Sequence, residues 1–302
     1  MPVTTAPDRP VCSACGESTM PFLESRDYNR SVSEEVFYYN RCTKCGCVTL
    51  VNIPEDLGRY YVSGYHEIPV TQEDIERRVE HERYKIELVR RFVNGGNLLE
   101  IGPSWGAFCL LAKRHGFFVE AIERDPNCYE FLRSKIQVNV ILAQGDAISL
   151  EQVSRPNVIA LWQVIEHLRD PWKLLKSAAE RLAPKGILVV ATPNPDALQF
   201  RLFRRYWGHL DAPRHTNLIP PEALCKRMRA FGLDTLMCTT KDPGSIECNV
   251  FGWRQSLSNL VRKPIIKERV YYWGRLVADV AGLIETREGK GSAYTVIFRK
   301  PK

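Results

Sequence analysis

The sequence lacks any run of about 18 apolar residues, the length that a helix needs to cross a lipid bilayer. Its first ten residues have neither the basic start nor the apolar core of a secretion signal. Internal repeats and low-complexity segments are also missing. These absences argue against a membrane-spanning helix and a repeat architecture, and we expect the protein to be made and kept in the cytoplasm.

The composition is that of an ordinary folded protein. The 302 residues are 44% hydrophobic and 25% charged, enough for one full α/β domain and one or two smaller units. Ten cysteines in a chain of this size without a secretion signal indicate reduced thiols, some of them on metal, and not a disulfide framework.

The positive charge is concentrated near the C-terminus. The formal net charge is +7, and residues 196–302 hold 19 Lys and Arg against 10 Asp and Glu, whereas residues 1–70 hold 6 against 9. Such an excess suits an anionic substrate, a phosphate-bearing carrier, an anionic membrane surface or nucleic acid, although a basic face is most often simply solvated.

Two C-x-x-C pairs stand near the start of the chain. Cys12 and Cys15 form the first, and Cys42 and Cys45 form the second after 26 intervening residues. Four thiolates at about 2.3 Å close a tetrahedral Zn²⁺ shell, which leaves no open position for chemistry. We predict a structural zinc site, with buried thiols or a redox pair as the alternatives and with Cys47 as a neighbour that competes for the metal.

Zinc modules of this kind often bind nucleic acid, which is the alternative to a structural role. Residues 1–70 carry three more negative than positive side chains, and a module that binds nucleic acid normally shows the opposite balance. The charge therefore favours a structural or substrate-covering role, and we expect nucleic acid not to be a partner.

Strand-like and helix-like segments alternate from residue 96 onward. Apolar strand candidates are residues 98–101, 118–122, 140–142, 158–161 and 187–191, and helical spacing marks residues 107–115 and 171–182. Buried apolar strands joined through helices form a doubly wound, mostly parallel sheet. The pattern predicts a Rossmann-like α/β fold.

The flanking segments suggest three parts. Short strand candidates lie at 35–39 and 48–51, one long helix is expected over 71–93, another helix over 268–284, and a last strand over 293–298. We predict a zinc-ribbon-like module over 1–70, the α/β core over 71–220, and a segment over 221–302 that completes the sheet. The 268–284 helix is expected to pack on the core, with a second subunit or a membrane surface as alternatives.

A glycine-rich turn follows the first core strand. It contains Gly102, Ser104 and Gly106, and Glu123 follows 21 residues after Gly102 at the end of the next strand. This is also the layout of a dinucleotide site, but Ser104 replaces the glycine that lets the backbone approach a pyrophosphate. Glu100 would repel a pyrophosphate and can receive an ammonium group, so the charges favour a sulfonium cofactor over NAD.

These residues resemble the class I S-adenosylmethionine-dependent methyltransferases, over residues 71–218. The resemblance implies that Gly102, Ser104 and Gly106 surround the methionine part and that Glu123 accepts the ribose hydroxyls. It also implies that Asp146 binds the adenine amine. Further matches are residues 162–171, which include Gln163 as a cofactor-binding residue, and residues 182–186 and 191–194.

A second resemblance concerns the acceptor. The order of cysteine pairs, residues 54–61, Tyr65, the core and residues 210–215 is similar to a bacterial group that methylates sugars, cell-surface polysaccharides and natural products. It implies a sugar or glycoside acceptor, methylated on oxygen or carbon, that the zinc module helps to cover. Tyr60, Tyr61 and Tyr65 would line its mouth, although tyrosines are more often packing residues.

Histidines are the candidate catalytic residues, because an imidazole suits the removal of a proton from an alcohol or phenol. His215 is the leading base, with Asp211 to orient its imidazole and Arg214 to hold an anionic, phosphate-linked part of the acceptor. His167, at the cofactor edge, is the second candidate, and His209 is weaker. Each is otherwise a hydrogen-bonded structural histidine.

The alternative functions are an RNA methyltransferase, a protein or lipid methyltransferase and a non-catalytic binding module. The sequence leaves oxygen, nitrogen and carbon acceptors open.

Overall fold

The computed structural model describes residues 11–62, 65–143, 148, 150–261, 263–285, 287 and 289–302. The strands among them are β1 Thr19–Ser25, β2 Phe37–Cys42, β3 Val48–Leu50, β4 Gly96–Ile101, β5 Phe117–Glu123, β6 Asn139–Leu142, β7 Val158–Trp162, β8 Ile187–Pro193, β9 Asn217–Leu218, β10 Asp234–Thr239 and β11 Ala293–Arg299. The α-helices are α1 Gln72–His81, α2 Arg83–Arg90, α3 Ala107–Arg114, α4 Pro126–Phe131, α5 Pro171–Arg181, α6 Leu198–Phe203, α7 Pro221–Ala230, α8 Pro243–Asn259 and α9 Pro264–Glu285.

A seven-stranded sheet forms the centre of the core. Its order is β10-β11-β8-β7-β4-β5-β6, with β4 to β8 parallel and β11 antiparallel to both of its neighbours. All residues of β7 and β8 are buried, as expected for parallel strands that are covered on both faces. The predicted α/β fold with a mostly parallel sheet is confirmed.

The single helix expected over 71–93 is wrong, because the segment forms α1 and α2 with a break at Glu82. Thr71 caps α1 by accepting a hydrogen bond from the Asp74 N–H. The apolar face crosses the break, since Val79 and Ile86 belong to the same buried cluster. Residues 79 and 86 are two helical turns apart, so the apolar residues keep helical spacing across the break. Because no Gly or Pro stands there either, the sequence does not reveal the break.

A second, antiparallel sheet is built from the N-terminal residues and one strand of the core. Its order is β1-β2-β3-β9, and Val48 of β3 pairs with Leu218 of β9. Phe37 and Tyr39 of β2 share a buried cluster with Trp207. Residues 1–70 therefore lend three strands to a sheet that the core completes.

One buried ion-pair group connects these two parts. The Arg214 guanidinium is fully buried, with Asp27 on the N-terminal side and Asp211 on the core side. Its Nη2 donates to Asp27 at 2.6 Å and to Asp211 at 2.8 Å, and its Nη1 donates to the Tyr60 carbonyl at 3.2 Å. Buried charges with several hydrogen bonds of this kind make the loss of one member costly.

The helices α8 and α9 are inserted between β10 and β11. α9 packs along α8, and its Glu285 accepts a hydrogen bond from the Trp253 indole at 2.9 Å. Its outward face leaves large apolar side chains exposed, among them Tyr272, Trp273 and Leu276. The expected core packing of this helix therefore holds for one face only. Within the described part of the chain, no helix combines the length and the apolar character needed to span a membrane.

We predict that Arg214→Met lowers the free energy of unfolding by about 3–5 kcal/mol, because it leaves two buried carboxylates without their cation. Urea unfolding followed by circular dichroism measures the change. The matched control is Arg205→Met, which removes a pair with Glu24 whose side chains are 44% and 52% exposed, and it should cost less than about 1 kcal/mol. Equal effects of the two substitutions would contradict this account of Arg214.

Candidate active site

Two cavities meet at the carboxyl ends of the parallel strands. The first, of about 710 Å³, is lined by Glu123, Asp125 and Tyr61, and we call it the Glu123 cavity. The second, of about 730 Å³, is lined by Glu100 and His215, and we call it the His215 cavity. Residues lining both cavities are Tyr65, Gly102, Ser104, Trp162, Gln163 and His167. Open α/β sheets place their ligands at this edge.

The predicted turn after β4 requires left-handed backbone. Gly102 and Gly106 have φ of 67° and 94°, and a Cβ on Gly102 would lie 2.9 Å from Val164 Cγ2. Ser104 also has a positive φ, of 54°. The serine thus adopts a left-handed conformation that glycine reaches more easily.

Glu123 ends β5 and is held by backbone donors. Its Oε2 accepts the Ser104 N–H at 2.9 Å, and its Oε1 accepts the N–H groups of Arg124 at 2.6 Å and Asp125 at 2.8 Å. Burial raises the pKa of Glu123, while these N–H donors lower it. The carboxylate is fixed at the wall of the Glu123 cavity, where we predicted a ribose.

Glu100 ends β4 and lines the His215 cavity. Its side chain is buried, its Oε2 lies 3.0 Å from the Cys109 thiol that donates to it, and burial raises its pKa to about 7. The charge of Lys85, which lines the same cavity, opposes that shift. A cation next to Glu100 would keep it ionised near neutral pH, as expected for a group that receives an ammonium.

Glu166 lies in a 3-10 helix, Ile165–His167, that follows β7. Its carboxylate is fully buried, and its Oε2 accepts a hydrogen bond from the Thr192 hydroxyl at 2.9 Å. Its Oε1 has no hydrogen-bond partner among the described residues. Burial raises the pKa of Glu166 to about 8. Because this glutamate was not among the predicted site residues, it is one that the sequence reasoning missed.

His167 and His215 lie side by side, with ring centroids 4.6 Å apart. The His215 Nδ1 donates to the His209 carbonyl at 2.7 Å, and the His167 Nδ1 lies 3.2 Å from the Arg214 carbonyl oxygen. Burial lowers the pKa of both imidazoles, so both are neutral at neutral pH. The Tyr61 hydroxyl is 3.0 Å from the His167 Nδ1.

The expected roles of Arg214 and Asp211 need correction. Every guanidinium N–H of Arg214 has an acceptor, because its Nε also donates to Asp211 at 2.8 Å and its Nη1 to Asp27 at 3.3 Å. No donor of this arginine is left for an acceptor phosphate. Asp211 takes a further hydrogen bond from Asn29 at 2.6 Å, and the contact of the His215 Nδ1 is with a carbonyl instead.

Four other predicted residues fall in different places. Tyr61 and Tyr65 line the Glu123 cavity, and Tyr65 also lines the His215 cavity. Tyr60 is fully buried in a core cluster and bonds to Glu35, so its expected place at the acceptor mouth is wrong. Asp146 lies outside the described residues.

His209 and His66 complete the polar surroundings. The His209 Nε2 donates to the Cys248 carbonyl at 2.7 Å, and burial lowers its pKa to about 4, as befits a structural histidine. His66, which we had not predicted, lies with its Nδ1 3.0 Å from the Ser104 hydroxyl. No local motif marks His66, since only the fold brings it to the turn.

The four predicted cysteine ligands come together. The Sγ atoms of Cys12, Cys15, Cys42 and Cys45 all lie within 4.8 Å of one another. Cys12 and Cys45 are 3.6 Å apart, and Cys15 and Cys42 are 3.5 Å apart. A tetrahedron with Zn–S bonds of about 2.3 Å has edges of roughly 3.8 Å, so the thiols fit a zinc ion. Cys47 packs beside this group in the core.

Comparison with known proteins agrees with this fold. Residues 72–237 match a family model described as a methyltransferase domain. Similar curated proteins are the ubiquinone biosynthesis O-methyltransferases of Xylella fastidiosa (strain 9a5c), 29% identical over 115 residues, and of Caulobacter sp. (strain K31), 28% identical over 105 residues. These matches cover 36% and 33% of this chain and 47% and 42% of the relatives, so the chain spans less than half of their length.

A solved structure shares the fold across most of the chain. The putative sarcosine dimethylglycine methyltransferase from Galdieria sulphuraria superposes with a TM-score of 0.52 at 15% identity, over 82% of this chain and 99% of its own. Because the family model spans more than half of the chain and includes β4 to β8, family and fold agree. The chain therefore belongs to the methyltransferase domain family.

Proposed function

We propose that this protein is a class I S-adenosylmethionine-dependent methyltransferase. It transfers the methyl group of that cofactor to a hydroxyl of a small molecule, a sugar or glycoside, bound in the His215 cavity. The observation that carries the proposal is the junction of the two cavities at Gly102, Gln163 and His167. A cofactor whose adenosine part binds in the Glu123 cavity and whose methionine part reaches Glu100 would present its methyl group at this junction, and an acceptor would approach through the His215 cavity.

The cofactor assignments rest on where the side chains lie. Glu123 would accept the ribose hydroxyls, the Gly102–Gly106 turn would surround the methionine part, and Glu100 would receive its ammonium. Gln163 lines both cavities and would contact the cofactor at the junction. Asp146 stays a prediction for the adenine amine.

The lining of the His215 cavity supports a polar acceptor. Its charged and amide side chains include Asn29, Arg30, Glu82, Lys85, Asp242, Glu247 and Gln255. Groups of this kind pair with the hydroxyls of a sugar. With Arg214 fully paired, we assign an anionic or phosphate-linked part of the acceptor to Arg30, whose guanidinium lies 4.6 Å from the Tyr65 ring centroid.

Methyl transfer is an in-line displacement, so the enzyme mainly positions the acceptor and removes its proton. The neutral pair His167 and His215 lines the His215 cavity next to the junction, where an acceptor hydroxyl would bind. His215 stays the predicted proton acceptor, and His167 stays the residue nearer to the cofactor.

A second candidate acceptor comes from the curated relatives. Their names describe O-methylation in ubiquinone biosynthesis, which favours an oxygen acceptor and makes a phenol-type acceptor the alternative to a sugar. The relatives match over 36% of this chain or less, and the polar cavity lining supports the sugar. RNA, protein and lipid acceptors stay further alternatives.

We also propose that Cys12, Cys15, Cys42 and Cys45 hold one structural Zn²⁺ per chain. The thiols reach tetrahedral spacing, and no position would be left for a reacting group. Zinc would hold the turn that precedes β1 against the turn between β2 and β3.

The metal content of the protein is the first test of the proposed zinc site. Elemental analysis of protein prepared without chelators should give one Zn²⁺ per chain, and Cys42→Ser should lower the zinc content and increase proteolysis within residues 1–70 because metal binding drives folding of such sites. Affinity for S-adenosylhomocysteine should change much less. Cys238→Ser, outside the group of four, is the control and should keep the metal. Protein that contains no metal would refute the site.

The second test concerns His215. We expect His215→Ala to lower turnover by roughly 10²–10⁴-fold, because the acceptor loses its deprotonating group, while calorimetric affinity for S-adenosylhomocysteine stays nearly unchanged. His167→Ala should reduce both quantities. The control is His115→Ala, since His115 lies outside both cavities and its Nδ1 donates to the Leu111 carbonyl of α3. Near-normal turnover of the His215 variant with its true acceptor would show that the assignment is wrong.

A further inference from the structure

Glu166, His167 and His215 form a second group of possible metal ligands, apart from the four cysteines. One ligand atom from each lies within 4.8 Å of the other two. We propose that these residues bind a divalent transition-metal ion, such as Mn²⁺, Fe²⁺ or Zn²⁺, that holds the acceptor hydroxyl beside the methyl donor. This inference rests on the proposed function and names the agent that activates the acceptor.

The two imidazoles are oriented as metal ligands are. The His215 Nδ1 donates to the His209 carbonyl at 2.7 Å. The His167 Nδ1 lies 3.2 Å from the Arg214 carbonyl and 3.0 Å from the Tyr61 hydroxyl, and a protonated Nδ1 would donate to both oxygens. In that tautomer, each of the two rings has an unprotonated Nε2. Metal-bound histidines characteristically donate their other N–H to a carbonyl or carboxylate in this way.

The Glu166 carboxylate gives a second observation in favour of a metal ion, independent of the two histidines. Glu166 is fully buried, and Thr192 orients it by donating to its Oε2. Its Oε1 has no hydrogen-bond partner among the residues that the structure describes. Buried polar atoms are nearly always paired, because leaving one without a partner costs about 1–3 kcal/mol. A cation bound at this oxygen would supply the missing partner, and the two neighbouring imidazoles distinguish Glu166 from the other buried atoms without one.

The ligand set selects the class of ion. Two imidazoles and one carboxylate suit transition metals, whereas Mg²⁺ and Ca²⁺ prefer sites built from oxygen ligands alone. Three protein ligands leave coordination positions open for a reacting group. All three side chains line the His215 cavity, so the open positions face the proposed acceptor.

A metal ion bound to these residues changes how the acceptor hydroxyl loses its proton. A hydroxyl bound to the metal has a lowered pKa, so its O–H bond breaks and the proton passes to water in the cavity. The oxygen then attacks the methyl carbon, the C–S bond breaks, and its electron pair returns to sulfur to give neutral S-adenosylhomocysteine. In this assignment His215 is a metal ligand and no longer the proton acceptor, so its loss lowers turnover because the ion is lost.

The test uses the full chain with its cysteine zinc in place and Mn²⁺ as the probe. Mn²⁺ favours nitrogen and oxygen ligands over thiolates, so it should leave the cysteine site alone. Electron paramagnetic resonance should show one Mn²⁺ bound per chain, with ¹⁴N modulation from imidazole. His215→Ala and Glu166→Gln should each weaken binding by about 100-fold or more, since even outer partners of a metal site contribute 10–100-fold.

His115→Ala is the matched histidine control and should bind Mn²⁺ like the wild type. Calorimetry with S-adenosylhomocysteine shows which variants are folded, and the ¹⁴N signal of the wild type needs no variant at all. The inference is overturned if the wild type binds no Mn²⁺, if its bound ion shows no imidazole nitrogen, or if folded variants bind as tightly as the wild type. Failure of the wild type to bind S-adenosylhomocysteine would instead count against the proposed function, while the Mn²⁺ result still decides the metal site.

Discussion

The site depends on the ion pairs that the buried guanidinium of Arg214 forms with two carboxylates. The guanidinium holds Asp27 of the N-terminal part and Asp211 of the loop after β8, and it donates to the Tyr60 carbonyl. The carbonyl of Arg214 itself meets the His167 Nδ1, and the next residue in the chain is His215. The ion pairs of Arg214 thus help to fix His215 next to His167. This explains how His215 can be held in place although it belongs to no strand or helix.

The parallel sheet imposes the second constraint. Glu100 and Glu123 lie at the carboxyl ends of β4 and β5, and Glu166 follows β7, so all three reach the same edge of the parallel sheet. Their surroundings give them different tasks: Glu123 is held by three backbone N–H groups, Glu100 by a thiol, and Glu166 by a single hydroxyl. Only Glu166 among these three has a carboxylate oxygen without a partner in the described part of the chain.

Local patterns were sufficient for most of the core. The predicted strands at 98–101 and 158–161 differ from β4 and β7 by two residues or fewer at each end, because continuous apolar runs mark buried parallel strands. The strands β1, β9 and β10 were missed. β9 has two residues, too few to show a pattern, and it pairs with Val48 far along the chain, whereas β1 pairs with the neighbouring β2.

The site was predicted less well than the fold, for a physical reason. The sequence brings Asp211, Arg214 and His215 together in one loop, which suggested that they face a substrate jointly. In the structure Asp27, 187 residues before Arg214, takes two of its hydrogen bonds and turns the arginine inward. A long-range contact of this kind leaves no local signature, and the same holds for His66 beside Ser104. The turn residues Gly102 and Gly106 were predictable, because their positive φ restricts the residue type.

The central claim is that cofactor and acceptor meet where the Glu123 cavity and the His215 cavity join. A crystal structure with S-adenosylhomocysteine bound tests this most directly. The account predicts ribose hydroxyls on Glu123 and the sulfur atom at the junction of Gly102, Gln163 and His167, open toward the His215 cavity. A sulfur atom that faces away from His215, or a ligand that binds outside the Glu123 cavity, would contradict it.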